Sequence, residues 1–257
     1  MTESQTFADW PAPAPGAAPM HRMIGAQAGL ELRTLVRNGE QLLLTLIIPV
    51  LLLVALVTVG KDKTGFVVPG ILALAVMSSA FTSLAIGTGF ERRYGVLKRL
   101  GASPLSRQGL VGAKTLAVLA IELLQVIVIV IVGLALGWTA RGLPDSVLWS
   151  LLLIVAGTAA FAGLALLMAG TLRAEATLAA ANLLYLVMLG LGGIVFPLTK
   201  FPASVQPVLK LLPAGALSDG LRSVLQHGGG LPLRDLVVLV VWAAAGIGLA
   251  ARFFRWE

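Results

Sequence analysis

The chain has 257 residues, of which 58% are apolar and only 12% are charged. Soluble domains average about 45–50% apolar and about 25% charged residues, so an ordinary soluble domain is excluded. The net charge is +7, but the basic residues fall mainly between apolar runs, which indicates orientation in a lipid bilayer and not binding to nucleic acid. Because cysteine is absent, thiolate catalysis, cysteine zinc sites and disulfides are excluded as well.

The first segment, residues 1–19, is rich in proline and alanine and holds four of the 13 prolines. Such a segment cannot bury enough apolar surface to become ordered, so we predict a disordered tail. From Met20 to Glu40, apolar residues recur at helical spacing and arginines take the other side. This pattern predicts an amphipathic helix that lies in the membrane interface.

Six later segments are apolar enough to cross a membrane, or nearly so. We therefore predict an all-α integral membrane protein whose transmembrane domain occupies residues 20–257. The predicted spans lie at about 42–59, 66–90, 115–138, 147–172, 176–196 and 236–251. Between the last two spans, five prolines divide residues 197–235 into apolar pieces too short to cross, which predicts short external or re-entrant helices.

An even number of spans places both termini on one side of the membrane. The loops on that side carry twelve lysines and arginines, and the loops on the other side carry seven. Since basic residues are enriched in cytoplasmic loops, both termini are predicted to be cytoplasmic.

Side chains that could perform catalysis are sparse. Both histidines, His21 and His227, lie outside the predicted spans, and no span holds a pair of acids. The run that ends in Gly60-Lys61 mimics a loop that holds ATP phosphates, but Asp62 replaces the Ser or Thr that would bind magnesium. We predict a chain that is not an enzyme and that holds no cofactor or metal of its own.

Glu122 is the one ionisable residue deep within a predicted span. An acid there is costly, so it either serves an ion, proton or substrate path or makes a structural polar contact. The first alternative would make the chain a secondary transporter or channel with Glu122 as its ion or proton site. The residue lies about two turns beyond Lys114, which favours the structural alternative.

The most informative stretch is residues 91–104, Glu-Arg-Arg-Tyr-Gly-Val-Leu-Lys-Arg-Leu-Gly-Ala-Ser-Pro. As a helix that stops at Gly101 and Pro104, it carries basic residues mostly on one side. The other side is apolar and consists of Tyr94, Val96, Leu97 and Leu100. A short amphipathic cytoplasmic helix between spans 2 and 3 is therefore predicted, because a solvated loop would explain the charges but not the apolar side.

This string, together with the six spans, resembles the coupling helix of the ABC-2 type permeases, the membrane subunits of type V ATP-binding-cassette exporters. The resemblance extends over residues 20–257 and includes the proline-rich segment that begins Gly192-Gly193-Ile194-Val195-Phe196-Pro197. It implies a drug-efflux-like exporter subunit in the bacterial cell membrane. The implied cargo is an amphipathic or apolar molecule such as a drug, a lipid or a polysaccharide precursor.

The resemblance also implies partners. Two cytoplasmic ATPase subunits would bind ATP and magnesium, and a second permease subunit would complete a homodimer or a heterodimer. The residues implied to couple the ATPase to the membrane are Glu91, Arg92, Arg93, Tyr94, Gly95, Leu97, Lys98, Leu100 and Pro104. In the family the cargo passes along the dimer interface, and the candidates for this path are Thr45, Ser78, Ser79, Thr82, Asn182 and Met188.

Overall fold

The computed structural model describes residues 17–60 and 64–253, and all regular structure within these two ranges is helical. An all-α chain is thus confirmed for the described part. The tail predicted over residues 1–19 lies outside the described residues, apart from its last three positions.

The predicted amphipathic segment forms helix α1, Met20–Arg37, and helix α2 follows at once as Gly39–Gly60. Helix α1 lies along the third predicted span, and its residues Met23 and Ile24 pack into a small apolar cluster there. Arg33 and Arg37 are exposed on the other side, as their spacing predicts.

Among the described residues, five helical runs are long and apolar enough to cross a membrane: Thr64–Arg93, Gln108–Ala135, Asp145–Thr171, Ala174–Leu191 and Leu233–Phe253. They correspond to five of the six predicted spans. The remaining one corresponds to α2, whose described apolar part, Thr45–Val59, is shorter than these five.

The second predicted span is one helical run with an irregular middle. It consists of α3, Thr64–Val76, a π-helical turn, Met77–Ser83, and α4, Leu84–Arg93. Within its most apolar window 83% of the residues are buried, whereas the last two runs reach only 22%. The second span is therefore the centre of the bundle, and the fifth and sixth lie at its edge.

After α4 the chain forms a short helix α5, Val96–Gly101, and then α6, Arg107–Ala135. The side chain of Ser106 caps α6 by accepting a hydrogen bond from the N–H of Gly109 at 3.0 Å. The predicted start of this span at 115 was too late, because it was placed after the last basic residue of the segment. The helix continues through that residue, Lys114, which is neutralised by two carboxylates.

Helix α7 is Asp145–Thr171, α8 is Ala174–Leu191 and α11 is Leu233–Phe253. The predicted fifth span, 176–196, is too long because the chain turns at Gly193, whose φ of 70° lies in the left-handed region that glycine adopts readily. Residues 192–196 therefore belong to the connection that follows α8 and not to the span.

Three short helical pieces follow α8, at Leu198–Lys200, Gln206–Leu209 (α9) and Pro213–Leu225 (α10). Eleven of the 13 residues of α10 are buried, since it packs against α3, α7 and α11. This helix is thus part of the core and not a loose surface element. The indole N–H of Trp242 in α11 also holds the segment by donating to the carbonyl oxygen of Leu211 at 2.8 Å.

Helices α7 and α11 form a close helix pair. A Cβ atom at Gly163 would lie 2.7 Å from the backbone nitrogen of Ile247, and one at Gly246 would lie 2.9 Å from the carbonyl carbon of Gly163. Small residues let helix backbones approach in a membrane, where apolar side chains gain nothing by leaving lipid. The two glycines therefore determine the spacing of this pair.

Replacing Gly163 with leucine is expected to push α7 and α11 apart and to lower the free energy of unfolding by about 1–3 kcal/mol, as overpacking does. Thermal unfolding in detergent measures this change. The matched control is Gly248→Leu in α11, where a Cβ atom meets nothing within 4 Å. Equal stability of the two variants would contradict the close contact.

Candidate functional site

The segment predicted as one coupling helix contains two helices. Helix α4 continues to Arg93, and Gly95 then adopts a φ of 73° before α5 begins at Val96. Apart from the glycine itself, no residue in this segment indicates the turn. The break means that α5 leaves the end of the second span at an angle that Gly95 sets.

One apolar side of α5 is anchored in a small core. Leu97 is fully buried, and Leu105 and Leu110 of the α5–α6 connection and α6 pack around it. Met23, Ile24 and Leu100 complete the cluster. Because this cluster contains residues of α1, α5 and α6, it holds the short helix firmly against both of its neighbours.

A buried charge cluster lies beside this core. The ammonium of Lys114 is 2% exposed and lies 2.7 Å from Oε2 of Glu91 and 2.9 Å from Oε1 of Glu31. The same oxygen of Glu31 accepts a hydrogen bond from the amide of Gln27 at 2.8 Å. The three charged residues, which we name the Lys114 cluster, connect α1, α4 and α6. A buried ammonium is tolerated only when it is paired in this way.

The end of α4 is also tied to the turn between α7 and α8. Arg92 donates a hydrogen bond to the carbonyl oxygen of Leu172, and Arg93 forms an ion pair with Glu175. Both partners of this pair are largely exposed, so it contributes little to stability. The ion pair instead shows that the turn between α7 and α8 lies on the same side of the bundle as α5.

The remaining side of α5 is open. Tyr94 is 70% exposed and stacks on Phe90, and Val96 is 42% exposed. Lys98 and Pro104 are exposed as well. The prediction that Tyr94 and Val96 lie on the same side as Leu97 was wrong. Tyr94 precedes the left-handed turn at Gly95, and Val96 lies about 100° from Leu97 around the axis of α5.

Residues 28–225 match the family described as ABC-2 type transporter. The chain belongs to this family. Two relatives are each named "Probable doxorubicin resistance ABC transporter permease protein DrrC" and come from Mycobacterium tuberculosis, strains CDC 1551 / Oshkosh and ATCC 25618 / H37Rv. Each is 26% identical to this chain over 259 residues, which is 95% of this chain and 92% of the relative.

The predicted family is thus confirmed, and the chain is an ABC-2 type permease. It is a multi-pass membrane protein and a membrane subunit of an ATP-binding-cassette transporter. Membership in the family implies partnership with ATPase subunits of that class.

Within the permease, a second polar network lies further along α6. Glu122 is 1% exposed, and one of its carboxylate oxygens accepts a hydrogen bond from the hydroxyl of Thr158 in α7. One turn away, Gln125 accepts from Ser79 at 2.9 Å and donates to the backbone oxygen of Thr45 at 3.0 Å. These contacts join α6 to α7, to the π-helical turn and to α2.

The permease has a cavity of about 170 Å³ between α1, α2, the second span and α6. Thr45 and Ser79, two of the predicted cargo-path residues, line it together with Glu91 and Lys114. The other four candidates are not among its lining residues. Ser78 and Thr82 lie half-buried in the π-helical turn, Asn182 is exposed on α8, and Met188 is buried in the main core.

On the opposite side of the permease, Arg222 fixes α10. Its guanidinium lies 3.8 Å from the centre of the Phe66 ring and donates to the backbone oxygen of Ile194 at 3.1 Å. Burial lowers the pKa of Arg222 to about 10, an effect that the charge of Asp219 opposes, so the side chain stays protonated at neutral pH. A Cβ atom at Gly70 would lie 2.8 Å from this guanidinium, which explains the glycine there.

Sequence reasoning missed two members of the Lys114 cluster. Lys114 was treated as the last residue of a polar loop, and Glu31 as part of a helix in the interface. The available signal was that Leu110–Ala135 is apolar on both sides of Lys114, and a lysine enclosed in such a run requires a carboxylate partner. Which carboxylates pair with Lys114 could be known only from the packing of α1 and α4 on α6.

Replacing Lys114 with methionine leaves two carboxylates facing each other without a counter-charge. We expect a loss of about 3 kcal/mol in the free energy of unfolding, measured by thermal or denaturant unfolding in detergent. Adding Glu91→Gln to Lys114→Met should restore part of this loss, with a coupling of at least about 0.5 kcal/mol. Lys200→Met, at an exposed lysine in the connection between α8 and α9, serves as the control and should change stability little. Additive effects of the first two substitutions would argue against the cluster.

Proposed function

We propose that this chain is the membrane-spanning permease subunit of an ATP-driven exporter and that α5 is its coupling helix. The single observation that carries the proposal is the way α5 is connected to the spans and packed against them. It is joined directly to the second and third spans. Leu97 on one side of it is buried in the protein, whereas Val96, and Tyr94 just before the helix, are exposed.

A rigid element of this kind can convert movement of an ATPase into movement of membrane helices. Force applied to the open side of α5 passes through the Leu97 core to α6 and through the Gly95 turn to α4. The Lys114 cluster then makes α1 move with both, because separating its members would expose a buried ammonium. Coupling of the ATP site to the membrane helices requires an element that has two arrangements. Binding of ATP to the partner subunit would favour one of these arrangements.

The partners follow from the same proposal. Two ATPase subunits bind ATP and magnesium, and a second permease subunit, identical to this chain or different, completes the transporter. Helix α2 serves as the first of six spans, so that both termini and the Lys114 cluster lie on the cytoplasmic side of the bacterial cell membrane. The excess of basic residues on that side supports this orientation.

The proposed cargo is an amphipathic or apolar molecule that is moved out of the cytoplasm. Drug efflux is the first choice because the relatives are named as probable doxorubicin resistance permeases. Glu122 is turned toward Thr158 inside the subunit, so its carboxylate is engaged by a structural contact. Lipids and polysaccharide precursors are the other cargo classes that the family suggests.

Docking of the ATPase is tested by purifying the tagged chain from its native membrane in mild detergent. We expect an ATP-binding-cassette ATPase to copurify in equal amount, and Val96→Asp to lower its recovery about tenfold, because a buried carboxylate weakens an interface by at least about 1.4 kcal/mol. The control is Val208→Asp on the external helix α9, where valine is 60% exposed. Leu97→Asp is unsuitable for this test, since it would disrupt the core beneath α5.

Two results would count against the proposal. Retention of the ATPase by Val96→Asp would place the docking surface elsewhere on the chain. Purification of the unmodified chain without any ATPase, together with transport that follows an ion gradient, would overturn the exporter function itself.

The secondary-transporter alternative depends on Glu122, and a conservative substitution separates the two functions. We expect Glu122→Gln to leave ATP-driven transport unchanged, because an amide oxygen can still accept the Thr158 hydrogen bond. Glu122→Ala removes the acceptor and should cost about 1–3 kcal/mol of stability. Transport assays with and without a proton gradient measure the first effect. A proton dependence that disappears in Glu122→Gln would instead favour the alternative.

A further inference from the structure

The cavity beside the Lys114 cluster is lined by residues of α1, α2, the second span and α6. Its volume is about 170 Å³, and it runs from Glu31 and Glu91 at one end to Thr45 and Ser79 at the other. An apolar cavity of about 150 Å³ holds a benzene molecule, so this cavity has room for one ring and a short substituent.

The walls of the cavity differ along its length. Apolar side chains cover much of it, namely Leu35, Leu84, Ala117, Val118 and Ile121. At the charged end, two carboxylates share one ammonium, which leaves one net negative charge against the cavity. An apolar body next to a carboxylate-rich end is complementary to an amphipathic cation and repels an anion.

A second observation points to a ligand at this end. Thr88 is 1% exposed and lines the cavity, and its hydroxyl makes no hydrogen bond within the described part of the chain. A buried hydroxyl without a partner is costly, and such groups in native proteins commonly await a ligand or water. Beside it, Gly87 lines the cavity without a side chain, and a Cβ atom there would meet nothing within 4 Å.

We propose that this cavity binds an organic ammonium whose apolar part is about one ring in size. The ammonium lies by Glu31 and Glu91 with the Thr88 hydroxyl in reach, and the ring lies between α2 and α6. As a loading site for cargo from the cytoplasmic leaflet, it rests on the exporter function proposed above.

The test uses the complete transporter in lipid nanodiscs and a matched pair of photoreactive probes. One is a benzylamine that carries a trifluoromethyl diazirine on its ring, and the other is the benzoic acid with the same group. We expect saturable labelling by the amine on the peptides that contain Gly87 and Ala117, and about tenfold less labelling there by the acid. Equal labelling by both probes, or labelling by the amine only outside these peptides, would overturn the proposal.

A pair of glycine substitutions provides the second arm. Gly87→Leu fills the cavity without a clash at its Cβ atom and should reduce labelling by the amine about tenfold. Gly112→Leu is the matched control, because that helical glycine also has open space at its Cβ position but does not line the cavity. Undiminished labelling of Gly87→Leu would refute the site.

Recovery of the ATPase and ATP turnover are measured on the same samples. If they are normal while labelling fails, the ammonium site is wrong and the exporter function stands. If the ATPase is absent and the amine still labels the cavity, the site stands as a binding site and its role in export is wrong.

Discussion

One buried ammonium determines how the α5 end of this permease is built. Lys114 can be enclosed only because Glu91 and Glu31 approach within hydrogen-bonding distance, and these three residues come from three separate helices. Helices α4 and α6 therefore extend beyond their apolar segments, and α1 is held against α6 although none of its residues is fully buried. The short helix α5 inherits its position from this arrangement, since both of its flanking helices are fixed by the same charge.

The bundle is held together in two different ways. Helices α7 and α11 approach through Gly163 and Gly246, a contact of backbone against backbone that leaves no space for adjustment. Helix α6 instead contacts its neighbours through the side chains of the Lys114 cluster, Gln125 and Glu122. The Lys114 cluster therefore keeps α1, α4 and α6 together, as the contact of the two glycines keeps α7 and α11 together.

The sequence predicted the helical class, the positions of five long helices and the importance of residues 91–104. Apolar runs and proline positions are local features of the sequence. They predict helices well because a membrane-spanning segment must form the hydrogen bonds of its own backbone internally. The end of α4 and the start of α6 were misplaced because charged residues were taken as the boundaries of the spans. Whether a lysine ends a span depends on whether a carboxylate far away in the sequence pairs with it. The side of α5 that faces outward was also missed, since the left-handed turn at Gly95 changes the direction of the chain without changing its apolar spacing.

The π-helical turn at Met77–Ser83 sets the rotational phase of the second span. Ser79 contacts Gln125, and Glu91 contacts Lys114, so both point toward α6. Along an uninterrupted α-helix these two positions would lie about 120° apart around the axis, because each residue turns by about 100°. Each residue of the wider π-helical turn rotates by less than about 100°, so the turn reduces this angle. The intramembrane network and the Lys114 cluster thus share one side of the helix only because the turn between them is not α-helical.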